Sequence, residues 1–183
     1  MVQLPKPEIR FKENIDGFFS HIIQIIKDSI KEHNKNHFVS VESIQSLKDL
    51  ITLYDTETIM MLFIQHTSNS WKLIKERDPH FFKGFQDVLS KIPIRDLNQT
   101  QFMFNLVTLK DDDKNIISDD NREVMWQFCE SFVYILVDYV HRMRVPRTKL
   151  LPNGEKKAVY TLKFLGYFNI REHCKTWSID LVF

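Results

Sequence analysis

The chain has 183 residues, with 25 Lys and Arg against 24 Asp and Glu, two Cys, four Gly and six Pro. At 43% hydrophobic and 27% charged, its composition is that of a folded domain and excludes global disorder. A formal net charge of +1 argues against a chain devoted to coating nucleic acid. The two Cys, Cys129 and Cys174, cannot make a disulfide scaffold and point to a reducing compartment.

In chain order, Met1–Arg10 carries acid, base and two prolines and shows no apolar targeting segment. Ile15, Phe18, Phe19, Ile22, Ile25, Ile26 and Ile30 recur at helical spacing and predict a first amphipathic helix of about five turns. Ser40 is placed to cap a second helix with Val41, Ile44, Leu47, Leu50 and Ile51 on one face. Asp55 or Thr56 restarts the pattern, which runs through Ile59, Met60, Phe63, Ser70 and Trp71 to Ile74. Asp78-Pro79 predicts the start of a helix carrying Phe81, Phe82, Phe85, Val88, Leu89 and Ile92.

Residues 100–109 fit either a strand or a helix, and their helical neighbours favour the helix. Asp111–Asp120 reads as an acidic loop. It feeds the clearest helix of the chain, with Val124, Met125, Phe128, Phe132, Ile135, Leu136, Tyr139, Val140 and Met143 on its apolar positions. Beyond Pro146 the texture changes. Pro152-Asn153-Gly154-Glu155 is a turn signal, and the alternation over 159–164 and again over Trp177–Phe183 predicts two or three short strands. The expected fold is therefore mainly α: a single domain of five or six helices over residues 1–147. A small, hairpin-like β segment over 148–183 packs on the same domain.

Composition carries one further signal. Ala158 is the only Ala, against 15 Phe and 19 Ile, although Ala is the best helix former. Phe, Ile, Lys and Asn have A/T-rich codons, so the bias reads as one of the source genome. No stretch reaches the roughly 18–20 apolar residues that a bilayer demands. Phe18–Ile30 and Phe128–Val140 are each cut by polar or charged side chains.

The sequence offers no recognisable catalytic motif. Gly17, Gly84, Gly154 and Gly166 are too scattered for a phosphate or dinucleotide loop. There is no Cys pair at zinc spacing. His33 and His37 have the four-residue spacing of a helical metal pair, but Asn34-Lys35-Asn36 between them reads as a helix end. No metal, no cofactor and no catalytic residue is expected.

Charge is the stronger signal. Residues 111–123 hold six acids (Asp111, Asp112, Asp113, Asp119, Asp120, Glu123) and two bases, a net of −4. Residues 141–163 hold seven bases (Arg142, Arg144, Arg147, Lys149, Lys156, Lys157, Lys163) and one acid, a net of +6. Such patches fit contact with oppositely charged protein, and the basic one, with Tyr160 and Phe164 interleaved, also fits nucleic acid.

The run Ile116-Ile117-Ser118-Asp119-Asp120-Asn121-Arg122-Glu123-Val124-Met125-Trp126-Gln127-Phe128, continued by Phe132 and Ile135-Leu136, resembles a motif of helical proteins from nucleocytoplasmic large DNA viruses. There a short lead precedes an Ile-Trp-x-Tyr-Leu helix. Trp126 stands at the Trp, while Met125 and Phe128 replace Ile and Tyr. The resemblance implies a helical viral protein and assigns no catalytic residue.

The sequence reading is thus a non-enzymatic structural or interaction protein. It is expected to be a minor capsid-associated component of a large DNA virus, located in the virion or the host cytoplasm. Its partners would be virion proteins or further copies of itself. The alternatives are a nucleic-acid-binding, transcription-associated factor and a helical host-interaction protein.

Overall fold

A computed structural model describes residues 4–33, 41–91, 104, 107–108, 110–111, 114–115, 117–143, 147–150, 156–159 and 170–179. They are mainly helical. Helix α1 spans Pro7–His33, beginning two turns before the periodic pattern because Pro7 occupies its first position. The Lys6 carbonyl accepts from the Ile9 and Arg10 amides at 3.1 and 3.2 Å. Helix α2 spans Val41–Leu53; Ser40, expected to cap it, lies outside the described residues.

Helix α3 spans Thr56–Thr67, starting where the sequence pattern restarts, with Asp55 as its cap. The Asp55 carboxylate accepts from the Thr58 amide and hydroxyl, each at 2.8 Å, and these bonds hold its pKa below the usual value. The pattern running on to Ile74 does not make one helix. A 3₁₀ turn at Ser68–Ser70 separates α3 from a short helix α4, Trp71–Lys75. At the break the buried Thr67 hydroxyl donates to the Phe63 carbonyl at 2.7 Å and accepts from the Trp71 indole at 2.9 Å. A threonine bonded back to its own helix in this way bends it.

Helix α4 ends with Arg77 in the left-handed region, φ 54°. The Asp78 amide donates to the Leu73 carbonyl at 2.9 Å and the Arg77 amide to Ile74 at 3.1 Å. This is a Schellman end with Arg where Gly is usual. The glycine-poor chain repeats the device at Ser178, φ 52°, where the Ile179 amide reaches the Cys174 carbonyl at 2.9 Å. Helix α5 spans Phe81–Ser90 and opens two residues after Pro79, because Asp78 turns the chain first by accepting from the His80 amide at 2.9 Å. Gly84 permits a close crossing with α3: a Cβ there would sit 3.0 Å from the His66 carbonyl oxygen.

Within 100–109, Phe104, Val107 and Thr108 are helical and the rest lie outside the described residues. The expected acidic loop is not wholly a loop. A two-residue ladder pairs β1, Lys110–Asp111, with β2, Lys114–Asn115, and Asp119 and Asp120 already belong to the next helix. That helix, α6, spans Asp119–Met143, and the Ser118 hydroxyl accepts from the Asn121 amide at 3.2 Å as an N-cap does. Beyond it, β3 (Arg147–Leu150) pairs antiparallel with β4 (Lys156–Val159). The stretch leading into Trp177 departs from the expected strands. Residues Ile170–Trp177 form helix α7, burying Ile170, Cys174 and Trp177, which recur at i, i+4 and i+7. The alternating residues 160–164 and 180–183 lie outside the described residues.

The core lies where α1 and α6 run against each other and against α3 and α5. Phe11, Phe18, Phe63, Phe85 and Phe132 form one cluster, with ring centres 5.0 to 5.9 Å apart. Trp126 packs against Phe82, their ring centres 4.9 Å apart and their planes tilted. Trp126, Phe132, Ile135 and Leu136 are buried as the periodicity predicts. Phe128 is only half-buried: its ring lies over Gly17, where a Cβ would sit 2.9 Å from it, and beside His21.

Tyr139 is buried in the same helix. Burial first, and then the nearby carboxylates of Glu57, Glu8 and Asp55, push its pKa up to about 12. A phenol that resists ionisation only when folded contributes stability that is complete below its unfolded pKa of about 10. That contribution is lost as pH rises through the folded value. Urea unfolding between about pH 9 and 12 should therefore show an alkaline loss of stability that Tyr139→Phe reduces. Equal alkaline slopes in the two proteins would contradict this assignment.

Candidate interaction surfaces at the ends of α6

Helix α6 is 25 residues long, about 36 Å at 1.5 Å per residue. The sequence-predicted charges gather toward its two ends. At the N-terminal end Asp119 and Asp120 occupy the first turn, exposed, where carboxylates complement the helix dipole. Arg122 pairs with Asp119 across one turn. Asp111 sits in β1 opposite Lys114. Asp112 and Asp113 lie outside the described residues.

Beside this acidic turn is an ion-pair group that the sequence reading missed. Arg77 donates from Nε and Nη2 to both oxygens of Glu123, at 3.0 and 2.6 Å, and from Nη1 to Glu130 at 2.6 Å and to the Ile74 carbonyl at 3.0 Å. Burial opposes its charge, but the two carboxylates outweigh it and hold the guanidinium pKa above its usual value. The positive φ at Arg77 is what turns the chain so that one guanidinium reaches two turns of α6. Glu123 and Glu130 are seven residues apart, hence on one face. That spacing was legible; the single Arg between Glu76 and Asp78 carried no periodic signal.

Between this group and the turn holding Val107 and Thr108 opens a cleft of about 500 Å³. Pro79, Val107 and Trp126 give it apolar walls, and Asp119, Glu123, Arg77 and Arg122 a charged rim. The rim is balanced in charge, because Asp119 pairs with Arg122 and Glu123 with Arg77, while Asp120 adds a further exposed carboxylate in the first turn of α6.

The C-terminal end is less simply basic than the sequence suggests. Arg142 donates to Asp138 at 2.9 Å, and Asp138 also pairs with Arg10 of α1. Arg142 is therefore engaged on its own helix, a correction to its expected role as an interaction residue. Arg144 lies outside the described residues. Arg147, Lys149, Lys156 and Lys157 come together in the β3–β4 ladder, which begins four residues after α6 ends. Lys149 is directly opposite Lys157, Lys156 opposite Leu150 and Arg147 opposite Val159.

His33 is the last residue of α1, and His37 lies outside the described residues. Cys129 is buried, and burial pushes its thiol pKa far up, so it is not poised as a nucleophile. Among the described residues no helix is long and apolar enough to cross a membrane. Comparison with known protein families, with curated proteins and with solved structures finds no match for this chain.

Proposed function

We propose that the chain is a non-enzymatic interaction protein that joins neighbouring protein chains through the oppositely charged ends of α6. One observation supports this most: the acidic turn opens α6 and the basic ladder follows its C-terminal end in sequence, and α6 is about 36 Å long against a Debye length of about 8 Å at physiological salt. Charges at the two ends of a helix of that length do not neutralise one another, which supports contacts with other chains. The virion setting rests on the resemblance around Ile116–Leu136 and on the A/T-biased composition. In this reading the protein is a minor capsid-associated component in the virion or host cytoplasm. The small β element over 148–183 is part of the proposal, supported by the β3–β4 pairing and now sharing its segment with α7.

The second reading, nucleic-acid binding, is favoured by the same ladder, whose two strands hold four bases and no acid. Charge reversal at Arg144, Arg147 and Lys149 separates the two. On the interaction reading it weakens association between protein chains or with purified particles, and the wild-type association weakens with salt. If reversal leaves that association intact and abolishes retention on DNA or RNA, the nucleic-acid reading replaces this one.

A further inference from the structure

We infer that the Arg77 turn is a latch set by ionic strength: two carboxylates of α6 hold it closed against the strain of its own backbone. Arg77 ends α4 at φ 54°, where a Cβ crowds the carbonyl oxygen that follows. The guanidinium opposes that strain by reaching two turns of α6, with Nε and Nη2 on Glu123 at 3.0 and 2.6 Å and Nη1 on Glu130 at 2.6 Å. Nη1 also donates at 3.0 Å to the Ile74 carbonyl, which accepts from the Arg77 amide at 3.1 Å. One side chain therefore fastens both the strained turn and the helix it faces.

Exposure decides the balance. The Arg77, Glu123 and Glu130 side chains are 32%, 45% and 30% exposed, so salt can screen their pairing. Ion pairs so exposed and the strain of a left-handed residue other than glycine are of similar size and opposite sign, so weaker pairing releases the turn. Nearby, Asp78 is engaged with the amide and ring of His80, and Arg122 with Asp119, which leaves Arg77 to Glu123 and Glu130. Release moves Pro79, one wall of the cleft, away from Trp126, another. The latch operates whether or not α6 meets another chain. Ser178 supplies a control in the same molecule. It ends α7 at φ 52°, with the Ile179 amide on the Cys174 carbonyl at 2.9 Å, but its side chain carries no charge.

The test is amide hydrogen exchange by NMR on the full chain. It reads the Asp78 amide, which donates to the Leu73 carbonyl at 2.9 Å, against the Ile179 amide. From about 0.1 M to about 1 M sodium chloride, exchange at Asp78 accelerates about tenfold relative to Ile179. Glu123→Gln with Glu130→Gln exchanges about tenfold faster already at low salt, and salt adds little. Arg77→Gly removes the pairs and the strain together, so at both salt concentrations Asp78 stays within about threefold of the wild type at low salt. Unchanged exchange in α1 shows that each variant is folded. A wild-type ratio that salt leaves unchanged overturns the inference, and that measurement needs no variant. Slow exchange in the double Gln variant also overturns it, because the pairs would then hold nothing. So does Arg77→Gly exchanging as fast as that variant, because strain would then play no part.

Discussion

Phe132→Ala should destabilise the protein by about 3–5 kcal/mol, the usual cost of emptying a buried phenyl site. Phe132 is 2% exposed, and its ring lies 5.3 Å from Phe11, 5.9 Å from Phe18 and 5.1 Å from Phe63. Those three rings come from α1 and α3, so one truncation loosens three helices at once. Their own positions on stiff, packed helices prevent collapse into the space left, which places the loss toward the upper part of the range. Phe132→Leu keeps most of the volume and should cost clearly less. Denaturant unfolding at constant slope measures both. A loss below about 1 kcal/mol for the Ala variant would show that this face of α6 is not core.

Trp71→Ala should cost a similar amount, about 3–5 kcal/mol, and with a local signature. Trp71 is 2% exposed and fills the joint between α4 and the C-terminal helix. Its ring meets that of His173 of α7 at a tilt, with centres 4.8 Å apart, and its indole donates to Thr67. α7 is held otherwise by Trp177, which meets Tyr134 at 5.8 Å and lies under the Lys75 ammonium at 5.0 Å. Amide exchange in α7 should therefore accelerate more than exchange in α1. Trp71→Phe keeps a ring in place and loses the hydrogen bond, worth about 0.5–1.5 kcal/mol. If Trp71→Ala left exchange in α7 unchanged, the joint would not be what secures that helix.

The sequence made the long elements legible because their period is written in large apolar residues. Ile15 to Ile26 and Met125 to Val140 each mark one face of a helix, and the structure buries most of those faces. The restart of the pattern at Asp55 was legible because its chemistry is local, the carboxylate holding the Thr58 amide, whereas the cap at Ser118 was read as part of an acidic loop. What escaped depends on neighbours distant in sequence. The break after Thr67 comes from a hydroxyl and an indole that meet only once the chain has turned. Helix α7 escaped because its apolar face has only three members, Ile170, Cys174 and Trp177, and its mean hydropathy is low.

The candidate site was half legible, for the same reason. The charge counts located two segments: Asp119 and Asp120 open α6, and Arg147, Lys149, Lys156 and Lys157 fall in the β3–β4 ladder that follows it. A count cannot tell a free charge from an engaged one. Arg142 contributes to the basic total in sequence, yet in the fold it belongs to Asp138. Arg77 looked ordinary in sequence, yet it gathers Glu123 and Glu130 and forms one side of the cleft.

The claim that charged ends carry this protein's contacts is tested most directly by the salt dependence of its association. Sedimentation of the wild-type chain, alone and with purified particles, would be followed from about 0.1 M to about 1 M salt, as the Debye length shrinks from about 10 Å to about 3 Å. The account predicts association that weakens steadily over this range and is already weak at low salt when Arg144, Arg147 and Lys149 are reversed. Association that persists unchanged at high salt, or strengthens, would contradict it and move the binding to the apolar faces.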